Sequence, residues 1–171
     1  MTINGILQLV VYLVLLLLLA RPLGSYMARV YQGEPALLAR LLSPVERFFY
    51  RAAGVRPEHE MTWTTYTVSV LLFSAAGLIF VYALQRVQGF LPLNPQGFGA
   101  VSPDLALNTA ASFVSNTNWQ SYGGETSMSY LTQMLGMTVQ NFASAATGMA
   151  VLVAFTRGLM RQSAHTLGNF W

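Results

Sequence analysis

The stretch Asp104-Leu-Ala-Leu-Asn-Thr-Ala-Ala-Ser-Phe-Val-Ser-Asn-Thr-Asn-Trp-Gln-Ser-Tyr-Gly-Gly-Glu125 decides how this chain is read. Just before it, Ser102-Pro103 supplies a hydroxyl N-cap and a proline at the first helical position, and Asp104 puts a carboxylate at the positive end of the helix dipole. The pattern predicts a helix over 104–114. At about 1.5 Å per residue such a helix covers roughly 17 Å, half of a hydrocarbon core of about 30 Å. The run that follows, 115–125, is polar and carries no charge before Glu125. Polar, non-helical backbone survives at membrane depth only when it is buried in protein or lines a wet cavity. Two readings fit this spacing. One is a half-helix that enters a membrane from outside and hands over to a filter loop. The other is a short surface helix followed by a polar loop.

The first reading has a chemical purpose. A half-helix entering from outside aims its carbonyl end, with its partial negative charge, at the middle of the bilayer, where a cation is favoured. Carbonyl oxygens of Ser115, Asn116, Thr117 and Asn118 can replace a cation's water shell without the burial of a full carboxylate. Asn tolerates positive φ better than any residue except Gly, so Asn116 and Asn118 suit a backbone that turns successive carbonyls one way. Trp119 is placed to wedge the loop against its helices, and Gln120 offers a side-chain carbonyl at the mouth. Gly123 and Gly124 close the loop. Glu125 either sets the field at the mouth or is simply solvated.

Working outward, the composition is that of a membrane protein. Apolar residues make up 54% of the 171 and charged residues 9%, against about 25% charged in a soluble domain. All nine basic residues are Arg, and they form no patch of the kind a nucleic-acid backbone needs. With no cysteine, disulfides, thiolate metal sites and cysteine nucleophiles are excluded. Uncharged runs predict membrane helices at 1–20, 61–85 and 126–156, the last long enough to tilt. Arg21-Pro22 in place of a small-residue cleavage site argues against a signal peptide. Trp63 and Tyr66 suit the headgroup level, and Ser74-Ala-Ala-Gly77 allows close helix approach. Segment 86–103 reads as an outer loop, rich in Gly and Pro.

The connection 21–60 holds six Arg, broken by Pro35, Pro44 and Pro57. Ser43-Pro44-Val45-Glu46 predicts a helix start there, and Phe48-Phe49-Tyr50 beside Arg47 and Arg51 suits a helix on a membrane surface or a packed connection to a partner. The Arg distribution places 21–60 and the tail 157–171 in the cytoplasm, with the N-terminus and 86–125 outside.

In the third span Gln133, Gln140, Asn141, Ser144 and Gly148 share one face of a continuous α-helix. They face either a water-filled cavity or hydrogen-bonding neighbour helices. His59 and His165 read as surface residues. No nucleophile–base pair, phosphate loop or metal-ligand spacing occurs, so no enzyme activity is expected.

The 104–125 run resembles the first pore loop of the potassium-binding subunit family (KdpA) of the bacterial Kdp potassium-transporting P-type ATPase. So do Ala20-Arg-Pro-Leu-Gly24, Leu91-Pro-Leu-Asn-Pro-Gln96, Thr138-Val-Gln-Asn-Phe142 and Thr166-Leu-Gly168. The resemblance covers the chain nearly end to end. It implies an all-α membrane protein: an extra first helix, then one membrane–pore–membrane repeat of the K⁺ channel and Trk-like superfamily, with pore helix 104–114 and selectivity filter 115–125. It further implies a multi-pass subunit of the bacterial inner membrane that takes K⁺ from outside. Implied partners are a separate ATP-hydrolysing P-type subunit, the remaining pore repeats and membrane lipid, with no organic cofactor. Asn116, Thr117 and Asn118 would then supply K⁺-coordinating carbonyls, and Gln120 would take the position that affects potassium affinity. Only one of four repeats is recognisable. The stop at Asn169-Phe170-Trp171 falls mid-linker in the family pattern, so a fragment, or repeats supplied by another polypeptide, is expected. The alternative is a membrane scaffold that only assembles with partners.

Overall fold

In the computed structural model, residues 2–34, 39–161 and 165–171 are described. Among them, three helices are long and apolar enough to cross a membrane: Ile3–Tyr31, Trp63–Phe90 and Thr132–Met160. The chain divides into two units, Met1–Arg56 and Pro57–Trp171.

The first unit contains α1, Ile3–Tyr31, and α2, Ala39–Ala52. Thr2 caps α1, its hydroxyl accepting from the Gly5 amide at 3.3 Å. The expected end at residue 20 is overturned, because the helix runs on through Arg21-Pro22 for more than two further turns. Pro22 removes one main-chain donor, but stopping there would strand several carbonyls in an apolar stretch, the costlier outcome. The helix stops instead at Gly33, whose φ of 75° lets the Glu34 amide turn back to the Arg29 carbonyl at 2.9 Å. No residue of α1 is buried.

Helix α2 also departs from expectation. It begins before Ser43 and carries Pro44 inside. The bond Pro44 forgoes is to a carbonyl in the helix's own first turn, where disruption reaches little of the element. Leu42, Val45, Phe48 and Phe49 are exposed along it. The Tyr50 hydroxyl donates to Glu46 at 2.9 Å. Partial burial first, then that bond and the carboxylate's charge, push the phenol up to about 12. Pro35, expected to break this connection, lies outside the described residues.

The second unit contains α3 (Trp63–Val87, followed by a 3₁₀ turn Gln88–Phe90), α4 (Pro103–Val114), the short α5 (Gly124–Ser127) and α6 (Thr132–Met160). Helix α4 packs on both α3 and α6. Val101, Ala106, Phe113, Met128 and Met137 form the core, with Tyr82, Leu105 and Tyr122 against it. Ser102 takes the N-cap position of α4 with Pro103 next, but its side chain makes no capping bond.

The expected helix 126–156 starts later and ends later. Residues 124–127 form a separate turn, and Ser129 sets the start by accepting the Thr132 amide on its hydroxyl at 3.2 Å. The first seven residues, Thr132–Thr138, are π-helical, and Val139–Met160 is α-helical. Thr138 supports the wider turn by donating its hydroxyl to the carbonyl of Gln133, five residues back, at 2.9 Å. Gly136 makes room for it: a Cβ there would lie 2.9 Å from Leu84 Cδ2 of α3.

At the far end of the α3–α6 pair, residues 165–171 double back. The Met61 amide donates to Gly168 at 2.8 Å and the Leu167 amide to Met61 at 3.0 Å. Glu60 accepts from Arg161 at 3.2 and 3.3 Å and also from the Thr166 hydroxyl. Phe170 sits edge-on to Tyr66 and Phe73, with ring centres 5.6 and 5.8 Å apart. His59 and His165 are exposed, as expected of surface histidines.

Candidate cation-binding loop

The loop after α4 is organised by the last turn of the helix. The Ser115 amide continues the helix to Ala111 at 3.0 Å, and Asn116 donates to Phe113 at 3.3 Å. The Thr117 and Asn118 amides then both fold back onto the single carbonyl of Ser112, at 3.0 and 3.2 Å. Reaching one acceptor from two successive residues requires a tight reversal. Asn116 and Asn118 provide it with φ of 57° and 56°, the left-handed region expected of them.

These bonds fix where the carbonyls go. No peptide bond here is cis. In a trans peptide the carbonyl of one residue points opposite to the amide of the next. With the amides of Asn116, Thr117 and Asn118 turned back to α4, the carbonyls of Ser115, Asn116 and Thr117 point onward past the helix end. They share that direction with the negative end of the α4 dipole, so oxygen lone pairs and dipole act together on one region. A cation is the species such a region favours. No described hydrogen bond sets the direction of the fourth expected carbonyl, that of Asn118.

The side chains lock one another. Ser115 and Thr117 hydroxyls lie 2.8 Å apart. Asn116 Oδ1 accepts from Asn118 Nδ2 and from the Ser144 hydroxyl of α6, both at 3.3 Å. Trp119 is 59% exposed, and its carbonyl accepts from the Ser112 hydroxyl at 2.8 Å. Gln120 and Glu125 are exposed, and Glu125 lies in the first turn of α5.

The expected polar face of α6 is split by the π segment, which shifts the register between Gln133 and Gln140. Gln133 turns to the loop, donating to the carbonyls of Gly124 and Met128 at 3.3 and 2.9 Å. Buried Gln140 faces α3, where a Cβ on Gly77 would come within 2.7 Å of its Oε1. Asn141 keeps a buried Oδ1 with no hydrogen-bond partner. Ser144 reaches the loop, donating to Asn116.

A sequence profile described as the potassium-transporting ATPase A subunit matches residues 10–171. The chain belongs to that family. It is 64% identical over its full length to the potassium-transporting ATPase potassium-binding subunits of Sorangium cellulosum and Methylococcus capsulatus, covering 30% and 29% of them. It is 61% identical over 97% of its length to that of Ralstonia pickettii, covering 28%. The chain thus spans about 30% of the length of the relatives it matches.

Two organisers of the loop in this A-subunit family member were not singled out from its sequence. Ser112 reads as one more small residue of α4, and its role emerges only when the loop folds back on it. Gln88 is fully buried just past α3, and its side chain makes four hydrogen bonds. It donates to the carbonyls of Gly99 and Ser127 at 2.7 and 2.9 Å, and accepts from the Ser129 amide and the Thr132 hydroxyl, both at 3.1 Å. A buried amide with both ends satisfied ties segment 86–103 to the turn 124–127 and to the start of α6. The available signal was a polar residue immediately after a membrane span.

Proposed function

We propose that this chain is a K⁺-selecting portion of a potassium uptake pump. The observation that supports it best is the common direction of the Ser115, Asn116 and Thr117 carbonyls beyond the C-terminal end of α4. In this reading α4 is a re-entrant pore helix, and 61–156 is one membrane–pore–membrane repeat of the K⁺ channel and Trk-like kind. Ser115–Asn118 contribute one quarter of a selectivity filter, with further repeats supplying the rest. Gln120 and Glu125 stand at the outer mouth, beside Gly123 and Gly124, and Asn141 and Ser144 lie on the cavity side. The subunit conducts K⁺ and hydrolyses nothing itself; ATP is hydrolysed by a P-type partner subunit. The N-terminus lies outside a bacterial inner membrane. Helix α2 lies on the inner surface, its exposed Phe48 and Phe49 toward the acyl chains and Arg47 and Arg51 toward the headgroups.

The test is Gln120→Arg in the complete complex. A fixed cation at the mouth repels the incoming ion, so the K⁺ concentration for half-maximal uptake rises at least tenfold, for a local repulsion of about 1.4 kcal/mol or more. Unchanged affinity, together with normal uptake by Asn116→Leu and Asn118→Leu variants, would favour the scaffold instead.

A further inference from the structure

We propose that the Ser112 hydroxyl determines where the ion-facing row of carbonyls ends, making Ser112 a specificity-determining positioning residue. The inference rests on the K⁺-filter reading above. Ser112 is buried in the last turn of α4, with 9% of its surface exposed, and serves the loop twice. Its main-chain carbonyl collects the amides of Thr117 and Asn118, which sends the carbonyls of Asn116 and Thr117 outward. Its hydroxyl has the opposite effect two peptides further along, drawing the Trp119 carbonyl back toward the helix at 2.8 Å. Two left-handed residues, Asn116 and Asn118, stand on either side of Thr117, so the backbone between them is tightly constrained. Among the described residues, no other backbone hydrogen bond holds the Trp119 peptide after Asn118. Its orientation therefore depends on one hydroxyl.

The consequence concerns ion selection. With the hydroxyl present, Trp119's oxygen is engaged by the protein and is withheld from the ion. Without it, that carbonyl is free to swing toward the ion path, or its peptide to fluctuate. Either change alters the number and the rigidity of oxygens that a dehydrated ion meets, and those two quantities govern discrimination between cations of similar size. Loss of the hydroxyl acts on the Trp119 carbonyl alone, because the Ser112 main-chain carbonyl and the loop reversal stay in place.

The experiment compares Ser112→Ala and Ser112→Thr in the full transport complex, measuring half-saturation and maximal rate for K⁺ and for Rb⁺, alongside the yield of assembled complex. Ala favours helix more than Ser, so assembly is expected to be preserved. Loss of one hydrogen bond of this kind predicts about a three- to tenfold change in the K⁺/Rb⁺ half-saturation ratio for Ser112→Ala. The maximal rate changes less, and Ser112→Thr, which keeps the hydroxyl, stays near the parent. An unchanged ratio in Ser112→Ala overturns the proposal. So do equal losses in both variants, which would make the site one of space rather than of hydrogen bonding. Gln120→Arg separates the two levels of the argument. If it leaves K⁺ affinity unchanged, the filter reading itself fails; if it weakens affinity while Ser112→Ala keeps the parent ratio, only the role of Ser112 fails.

Discussion

The α3–α6 pair is fastened at both ends, and by opposite kinds of chemistry. At the loop end the fastening is a neutral amide, Gln88, fully buried and fully bonded to two carbonyls, an amide and a hydroxyl. At the other end it is an ion pair, Glu60 with Arg161, whose side chains remain 47% and 37% exposed. The difference teaches where each kind of interaction is worth using. A buried neutral hub brings no ionic desolvation penalty and is indifferent to salt, but it is unforgiving, because removing it breaks four bonds at once and strands a buried amide. An exposed ion pair is screened and tolerant of loss. In the proposed reading, the end that holds carbonyls in fixed directions carries the unforgiving device.

The largest effect is therefore expected at Gln88. Gln88→Leu leaves the buried Ser129 amide without a partner, reduces the Thr132 hydroxyl to its contact with the Ser129 hydroxyl at 2.9 Å, and frees the carbonyls of Gly99 and Ser127. We expect a loss of about 2 kcal/mol or more, from about 1–3 kcal/mol for the stranded amide and about 1 kcal/mol for each other bond lost, read as thermal unfolding of the purified complex. A loss under about 1 kcal/mol would put the hub on a par with an exposed contact and erase the contrast.

A smaller effect separates backbone from side chain within the loop. Asn118→Gly keeps the left-handed turn and should leave stability and K⁺ affinity near the parent. Asn118→Val must hold a β-branched residue at positive φ, which costs on the order of 1–2 kcal/mol, and should weaken K⁺ affinity as well. Equal behaviour of the two variants would mean that the φ of 56° is not what orders the loop.

The smallest effect is at the opposite end. The Thr166 hydroxyl first, and Arg161 next, hold the Glu60 carboxyl below its usual range. A carboxyl lowered in the folded state adds stability that is fully present above its unfolded value and disappears as pH falls through the lowered folded one. Glu60→Gln should therefore lower the melting temperature slightly at neutral pH, less so in high salt, with the gap from the parent closing as the solution is acidified below about pH 4. A gap that widens on acidification would reverse the assignment.

What the sequence disclosed follows the same division. The three spans were legible because long uncharged runs have few alternatives, and the left-handed turns at Asn116 and Asn118 because few residues accept that conformation. The ends of α1 and α2 were not, because Pro22 and Pro44 stop helices only when an unpaired carbonyl has somewhere better to go. The polar stripe from Gln133 to Gly148 assumed an unbroken α-helix. The π segment at Thr132–Thr138 separates its members, and nothing in the local sequence marks it except Gly136 and Thr138 in hindsight. Ser112 and Gln88 were missed because their importance depends on partners distant in sequence or brought in by a tight reversal. Composition and periodicity do not register such partners.

The central claim is that the carbonyls of Ser115, Asn116 and Thr117 face a cation. The most direct measurement is the position of thallium, standing in for K⁺, located by its anomalous signal in crystals of the full complex. The account predicts an ion within coordinating distance of the Asn116 and Thr117 carbonyl oxygens, with the Trp119 carbonyl still held by Ser112. An ion bound elsewhere, with these carbonyls turned away from it, would contradict it.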